Sequence, residues 1–145
     1  MQRTERRMKS DSAEEQSLVS LLIIEDNKDQ QVLFRIIAEK LKMDASIVAS
    51  CTAGLEAAKS NAFDVILMDC KMPDMSGWEC TKRIREIDEE YDRHTPIIAV
   101  TARAMPGDRE KCLEAGMDDY LSKPFTIEQL NTKIQQWISS ANLPN

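Results

Sequence analysis

The chain is poor in the residues that commit a protein to many common chemistries. Its 145 residues include one histidine, His94, and four cysteines. Cys51, Cys70, Cys80 and Cys112 form no C-x-x-C pair, which excludes the usual zinc-site spacings. They are expected to be reduced, partly buried thiols of a cytosolic protein, with Cys70 filling space behind a loop. With only four glycines, no phosphate-cradling loop follows the first apolar run, which disfavours a flavodoxin-type cofactor domain. No apolar stretch approaches the roughly 20 residues of a membrane span. Repeats and low-complexity runs are absent. Positive charge is in deficit, with 19 Lys and Arg against 25 Asp and Glu; the net charge of -6 argues against direct nucleic-acid binding. The first 17 residues carry four basic and four acidic side chains and lack the apolar core of a signal peptide. They read as a flexible tail, 1–17, ahead of one domain, 18–141, and a short tail, 142–145.

What the chain does have is a set of short apolar runs that end in chemistry. Val65-Ile66-Leu67-Met68 leads into Asp69, and Pro73 and Gly77 then mark a loop. Leu21-Leu22-Ile23-Ile24 leads into Glu25-Asp26-Asn27. Ile97-Ile98-Ala99-Val100 leads into Thr101-Ala102, and Tyr120-Leu121-Ser122 into Lys123-Pro124. The alternation predicts strands over 19–24, 46–50, 63–68, 96–101 and 118–122. Between them, Leu33, Ile36, Ile37 and Leu41 recur at helical spacing. Thr52 caps a short Ala-rich helix to Ser60. Ser76 with Glu79 opens a helix over about 77–90 that buries Cys80, Ile84 and Ile87. Pro106 suits the first turn of a helix stopping near Gly116. Thr126 with Gln129 opens the last helix, which Ile127, Leu130, Ile134 and Ile138 line. Strands alternating with helices predict an α/β fold, a five-stranded parallel sheet with helices on both faces and right-handed crossovers. Parallel strands bring their tips to one rim, where such sheets build sites. Glu25, Asp26 and Asp69 would repel one another there without a cation, and an all-oxygen donor set suits Mg²⁺.

These motifs resemble the receiver domain of two-component response regulators: the acidic pair Glu25-Asp26, Asp69 before Lys71-Met72-Pro73, Thr101, and Lys123-Pro124. The resemblance covers roughly Val19 to Ser140. Thr101-Ala102-Arg103-Ala104-Met105 and Gly116-Met117-Asp118-Asp119-Tyr120-Leu121-Ser122-Lys123-Pro124 are most similar to receivers of hybrid histidine kinases. The resemblance implies a flavodoxin-like (βα)5 fold and a cytoplasmic phosphoacceptor, not an enzyme, that assists its own phosphorylation and dephosphorylation. Asp69 would take a phosphoryl group from a phosphohistidine on a histidine kinase or histidine phosphotransfer protein. Asp26, Asp69 and the Lys71 carbonyl would hold Mg²⁺, and Glu25, longer than the usual Asp, would act on the ion through water. Thr101 and Lys123 would bind phosphoryl oxygens; read without the resemblance, Lys123 would instead form a salt bridge to Asp69 at rest, and both can hold in turn. The Lys123–Pro124 bond would be cis. Tyr120 would read the switch on the face formed by the fourth helix, fifth strand and fifth helix, with Trp78 and Trp137 elsewhere. Lys71 and Arg103 would tune the lifetime of the phosphoryl group, and small Ala102 would leave the donor a clear approach. An Asp-nucleophile phosphatase is disfavoured because Lys71 stands where such enzymes carry a second Asp. A binding module that lost phosphorylation is disfavoured by the complete set of site residues.

Overall fold

A computed structural model describes residues 18–142 except Pro73, Arg103 and Ala104, with side chains to Ile138. The tail 1–17 and the tuning role of Arg103 therefore lie outside the described residues, as does the expected tail 142–145 apart from Asn142, which the last helix includes. Five parallel strands form one sheet in the order β2-β1-β3-β4-β5: β1 Ser20–Ile24, β2 Asp44–Val48, β3 Val65–Met68, β4 Ile97–Thr101 and β5 Asp119–Ser122. The helices are α1 Lys28–Lys40, α2 Cys51–Ser60, α3 Gly77–Glu90, α4 Asp108–Ala115 and α5 Ile127–Asn142. The expected doubly wound architecture is borne out.

Side-chain alternation along the strands builds two cores. Leu21, Ile23, Val65, Leu67, Ile98 and Val100 face α1 and α5, where they meet Phe34, Ile37, Leu130 and Ile134. Leu22, Ile24, Ile66, Met68, Ile97 and Ala99 face α2, α3 and α4, where they meet Cys51, Cys80, Ile84 and Cys112. β1, β3 and β4 are buried along their whole length, as two-sided coverage of a parallel sheet requires.

Local differences from expectation have physical reasons. α1 turns Phe34, Ile37 and Ala38 inward, leaving Leu33 and Ile36 exposed beside Val32. The apolar positions there were too many for one stripe. β2 begins and ends two residues early because Ser50 leaves the strand to cap α2, accepting from the Ala53 N–H. Thr52 is thereby displaced into the first helical turn. Pro106 stays outside α4, whose N-cap is Gly107 in the left-handed region (φ 89°). Gly116 ends α4 at φ 112°, as expected of a C-terminal glycine. Thr126 and Gln129 form a reciprocal capping box, each backbone N–H donating to the other side chain at 2.9 and 3.0 Å. The cysteines depart most from expectation. Cys51 and Cys80 are joined in a disulfide, their Cα atoms 5.8 Å apart, which staples α2 to α3; only Cys70 and Cys112 are free. No helix of the described residues is long and apolar enough to cross a membrane.

Candidate functional site

The rim at the carboxyl ends of β1 and β3 gathers the three expected carboxylates. Ladder geometry continues one residue past each strand and holds the acids in place: Glu25 N–H donates to the Val48 carbonyl at 2.9 Å, and Asp69 N–H to the Ile24 carbonyl at 3.1 Å. Glu25, Asp26 and Asp69 each offer an oxygen, all within 4.8 Å of one another. Glu25 is only 2% exposed. Its oxygens accept from the Asn27 N–H at 3.1 Å and from the Lys123 ammonium at 3.0 Å. The expected Lys123–Asp69 pair is thus replaced by Lys123–Glu25. Burial decides the partner, because the least solvated carboxylate gains most from a cation. Asp26 is exposed and Asp69 half-buried.

Asp69 lies under competing pressures. Burial, more than any other cause, raises its pKa, and Glu25 adds to the rise. The Lys71 N–H, donating at 3.1 Å, and Lys123 oppose it, leaving Asp69 at about 6 against an ordinary 3.8. A shallow cleft of about 490 Å³ opens over the cluster, walled by Glu25, Asp26, Asn27, Asp69, Lys71, Thr101, Ala102 and Lys123. Every candidate catalytic or metal-ligating residue from the sequence therefore meets in one place. Thr101 is buried at the end of β4, and its carbonyl accepts from the Lys123 N–H at 2.7 Å, which fastens the two tips together. The Lys123–Pro124 bond is cis.

Behind Thr101 lies a second cavity of about 600 Å³, lined by Thr101, Lys71, Cys70, Met72, Trp78, Met105, Cys112 and Tyr120 among others. Thr101 and Lys71 border both spaces. Tyr120 packs against the core cluster that contains Cys112. Burial, then Asp108 and the two thiols, raises the pKa of its hydroxyl. Trp78 lies in α3, outside the α4-β5-α5 elements as expected, and touches α4 from there. Its indole N–H donates to the Cys112 Sγ at 3.4 Å, and the Lys111 ammonium sits 5.3 Å from its ring. Trp137, expected elsewhere, belongs to α5 itself: it packs against the core cluster beneath that helix and is anchored to β5 by a 2.8 Å bond to Asp119.

Asp74, which sequence reasoning passed over, and Gly77, read there only as a loop mark, shape the loop carrying Asp69. Asp74 caps α2 from a distance. Its carboxylate accepts from the N–H groups of Cys51 and Thr52 at 3.2 and 3.1 Å and from the Thr52 hydroxyl at 3.0 Å, bonds that lower its pKa. Its separation from α2 in sequence hid this. Gly77 lets α3 approach the loop: a Cβ there would sit 2.8 Å from the Asp69 carbonyl oxygen and from the Cys70 Cα, both backbone atoms that cannot swing away. A glycine beginning a capped helix was the available signal.

Comparison with known proteins agrees with this geometry. Residues 21–135 match the response regulator receiver domain family. The chain is 42% identical over 127 residues to hybrid signal transduction histidine kinase I of Dictyostelium discoideum, an alignment covering 81% of this chain but 7% of that kinase. It is 37% identical over 122 residues to the polar-differentiation response regulator DivK of Brucella ovis, covering 84% of this chain and 98% of DivK. Among solved structures it is similar to the receiver domain of a sensor histidine kinase from Pseudomonas aeruginosa PAO1, which has a magnesium ion coordinated in its active-site cleft. That pair has 37% identity and a TM-score of 0.77, covering 85% of this chain and 99% of the other. It is also similar to the receiver domain of Ssk1 from Saccharomyces cerevisiae, crystallised with the histidine phosphotransfer protein Ypd1. There the identity is 28% and the TM-score 0.78, covering 88% and 94% of the two chains.

Proposed function

This chain belongs to the response regulator receiver domain family, and on that premise we propose that Asp69 accepts a phosphoryl group from a partner's phosphohistidine. The observation that carries the reading is the convergence of Glu25, Asp26 and Asp69 within 4.8 Å beside Lys123 and Thr101. An Asp69 carboxylate oxygen attacks phosphorus, the P–N bond breaks, and the imidazole leaves with its electron pair. The product is an acyl phosphate on Asp69. Transfer of this kind depends on positioning and charge neutralisation more than on covalent assistance.

The donor set fits Mg²⁺, since it is all oxygen, anionic in excess, and open to water on the Asp26 side. Asp26, Asp69 and the Lys71 carbonyl would hold the ion, with Glu25 acting through water. When bound, it supplies positive charge to the transferring phosphoryl oxygens. Lys123 is shared between roles: it neutralises buried Glu25 in the resting chain and turns to a phosphoryl oxygen after transfer. Thr101 donates its hydroxyl to a second oxygen. Movement of Thr101 opens the wall it shares with the inner cavity, and Tyr120 follows. Phosphorylation is thereby read out on the α4-β5-α5 face. Lys71, exposed at the mouth of the cleft, tunes the lifetime of the acyl phosphate, and the chain acts stoichiometrically, assisting its own phosphorylation and dephosphorylation. The partner is a histidine kinase or a histidine phosphotransfer protein, and the exposed apolar strip Val32, Leu33 and Ile36 on α1 gives it a surface near the rim.

The test is intact mass after incubation with acetyl phosphate and Mg²⁺. We expect one added phosphoryl group in the parent and none in Asp69→Ala. Equal labelling of the two would overturn the assignment. Thr101→Ala is expected to accept phosphate yet gain less partner affinity from beryllofluoride than the parent does. Tyr120→Phe is expected to keep most of that gain and Tyr120→Ala to lose it.

A further inference from the structure

The two cysteines outside the Cys51–Cys80 disulfide touch each other at the wall of the inner cavity. Cys70 Sγ and Cys112 Sγ are 3.6 Å apart, although 42 residues separate them in sequence. Cys70 directly follows Asp69 and is half-buried; Cys112 lies in α4 and is 0% exposed. Both line the cavity of about 600 Å³. A small oxidant entering it meets Cys70 first. The Trp78 indole N–H donates to Cys112 Sγ at 3.4 Å and fixes that sulfur beside its neighbour. Nucleophile, resolving thiol and access path are all present.

We propose that Cys70 and Cys112 form a redox site that closes into a second disulfide on exposure to hydrogen peroxide. The Cys70 sulfur attacks one peroxide oxygen, the O–O bond breaks, and water leaves. The resulting sulfenic acid is then attacked by the Cys112 sulfur, which forms the S–S bond and displaces a second water. In total, two thiols and one peroxide give one disulfide and two waters, so the pair loses two electrons and two protons. Closure ties the loop that carries Asp69 and the Lys71 carbonyl to α4. Its effect on phosphorylation rests on the function proposed above; the cross-link itself does not.

The full chain should be treated with hydrogen peroxide, alkylated under denaturing conditions and digested without reduction. We expect Cys70 and Cys112 to be lost to alkylation together, a mass decrease of about 2 Da, and a peptide pair joining the two; dithiothreitol reverses all three. Cys112→Ala is expected instead to gain about 32 Da as a sulfinic acid on Cys70. Two thiols that stay fully alkylatable, a parent chain that gains oxygen without the cross-link, or a cross-link between two chains would overturn the proposal. The parent peptide map decides the matter even if Cys112→Ala misfolds. Acetyl phosphate labelling of Asp69 should slow at least about threefold in the cross-linked form. Equal rates would overturn the regulatory consequence, and the peptide map identifies the dithiol whether or not Asp69 is the acceptor.

Discussion

The two ends of the sheet carry the same ingredients in opposite balance. At the base, where β4 and β5 begin, three carboxylates are saturated. Asp88 accepts from Arg85, Arg93 and both the backbone and the hydroxyl of Thr95. Asp118 accepts from Arg85, His94 and the Ile97 N–H, and Asp119 from Lys133, Trp137 and the Tyr120 N–H. At the rim another three carboxylates crowd together, and among the described residues the ion pair there is Lys123 with Glu25. The base spends its cations on holding elements in register. The rim keeps an excess of negative charge, which costs stability and which an incoming cation would relieve. One end is optimised for the fold and the other for a ligand.

This contrast can be broken from either end. The largest effect is expected at the base. Arg85→Ala leaves Asp88 and Asp118 without their shared cation and releases the Gly116 and Thr95 carbonyls, which the guanidinium also binds at 2.9 and 2.8 Å. We expect a loss of about 3 kcal/mol in urea unfolding. A loss under about 1 kcal/mol would mean that the base is no better optimised than an ordinary surface.

Gly77→Ala tests the boundary between α3 and the rim. The added methyl meets backbone on the Asp69 loop, so about 2 kcal/mol of stability should be lost together with much of the Asp69 labelling rate. A stable variant with parental labelling would show that the loop yields.

The opposite sign is expected at the rim itself. Asp69→Asn removes a half-buried charge that its surroundings disfavour, so in cation-free buffer at neutral pH the variant should be about 1–2 kcal/mol more stable than the parent, after discount for solvent screening. A destabilised Asp69→Asn would remove the contrast between the two ends.

Mg²⁺ should then raise the melting temperature of the parent, by about 1.4 kcal/mol of stability at roughly ten times its dissociation constant. Most of this response should vanish in Asp26→Asn and less of it in Glu25→Gln. Calorimetry with and without the ion distinguishes the three proteins, and equal losses would place Glu25 in direct ligation.

The smallest effect concerns pH. Burial raises the Asp119 pKa, but bonds from Trp137, Lys133 and the Tyr120 N–H outweigh it, and the net shift is downward. A carboxylate with a depressed folded pKa contributes stability that is complete above its unfolded pKa and is lost as pH falls through the folded one. Asp119→Asn should therefore trail the parent by about 1 kcal/mol at neutral pH, with the gap closing below about pH 4. A gap that is constant with pH would assign the effect to packing.

The sequence carried most of the rim in legible form because each residue sits directly after its own apolar run. Glu25, Asp26, Asp69, Thr101 and Lys123 could be placed at strand tips one element at a time. The base was scarcely legible. Arg85, Asp88 and Asp118 look like the solvated charges that any helix face or loop carries, and their value comes from meeting one another across 3 to 33 residues. Asp74 was hidden for the same reason. Leu33 and Ile36 show the converse failure: helical spacing marks a stripe, but an over-long stripe does not say which edge faces the core.

By itself, then, the sequence determined the βα alternation, four of the five strand tips, the Gly116 stop and the Thr126–Gln129 cap, since each depends on residues within a few positions of one another. Only the tertiary structure decided which cysteine pairs with which, that Lys123 chooses Glu25 over Asp69, and that Cys70 lies against Cys112. Those choices depend on distance and solvation between elements that approach only once the sheet is wound, and on burial that no single element possesses alone.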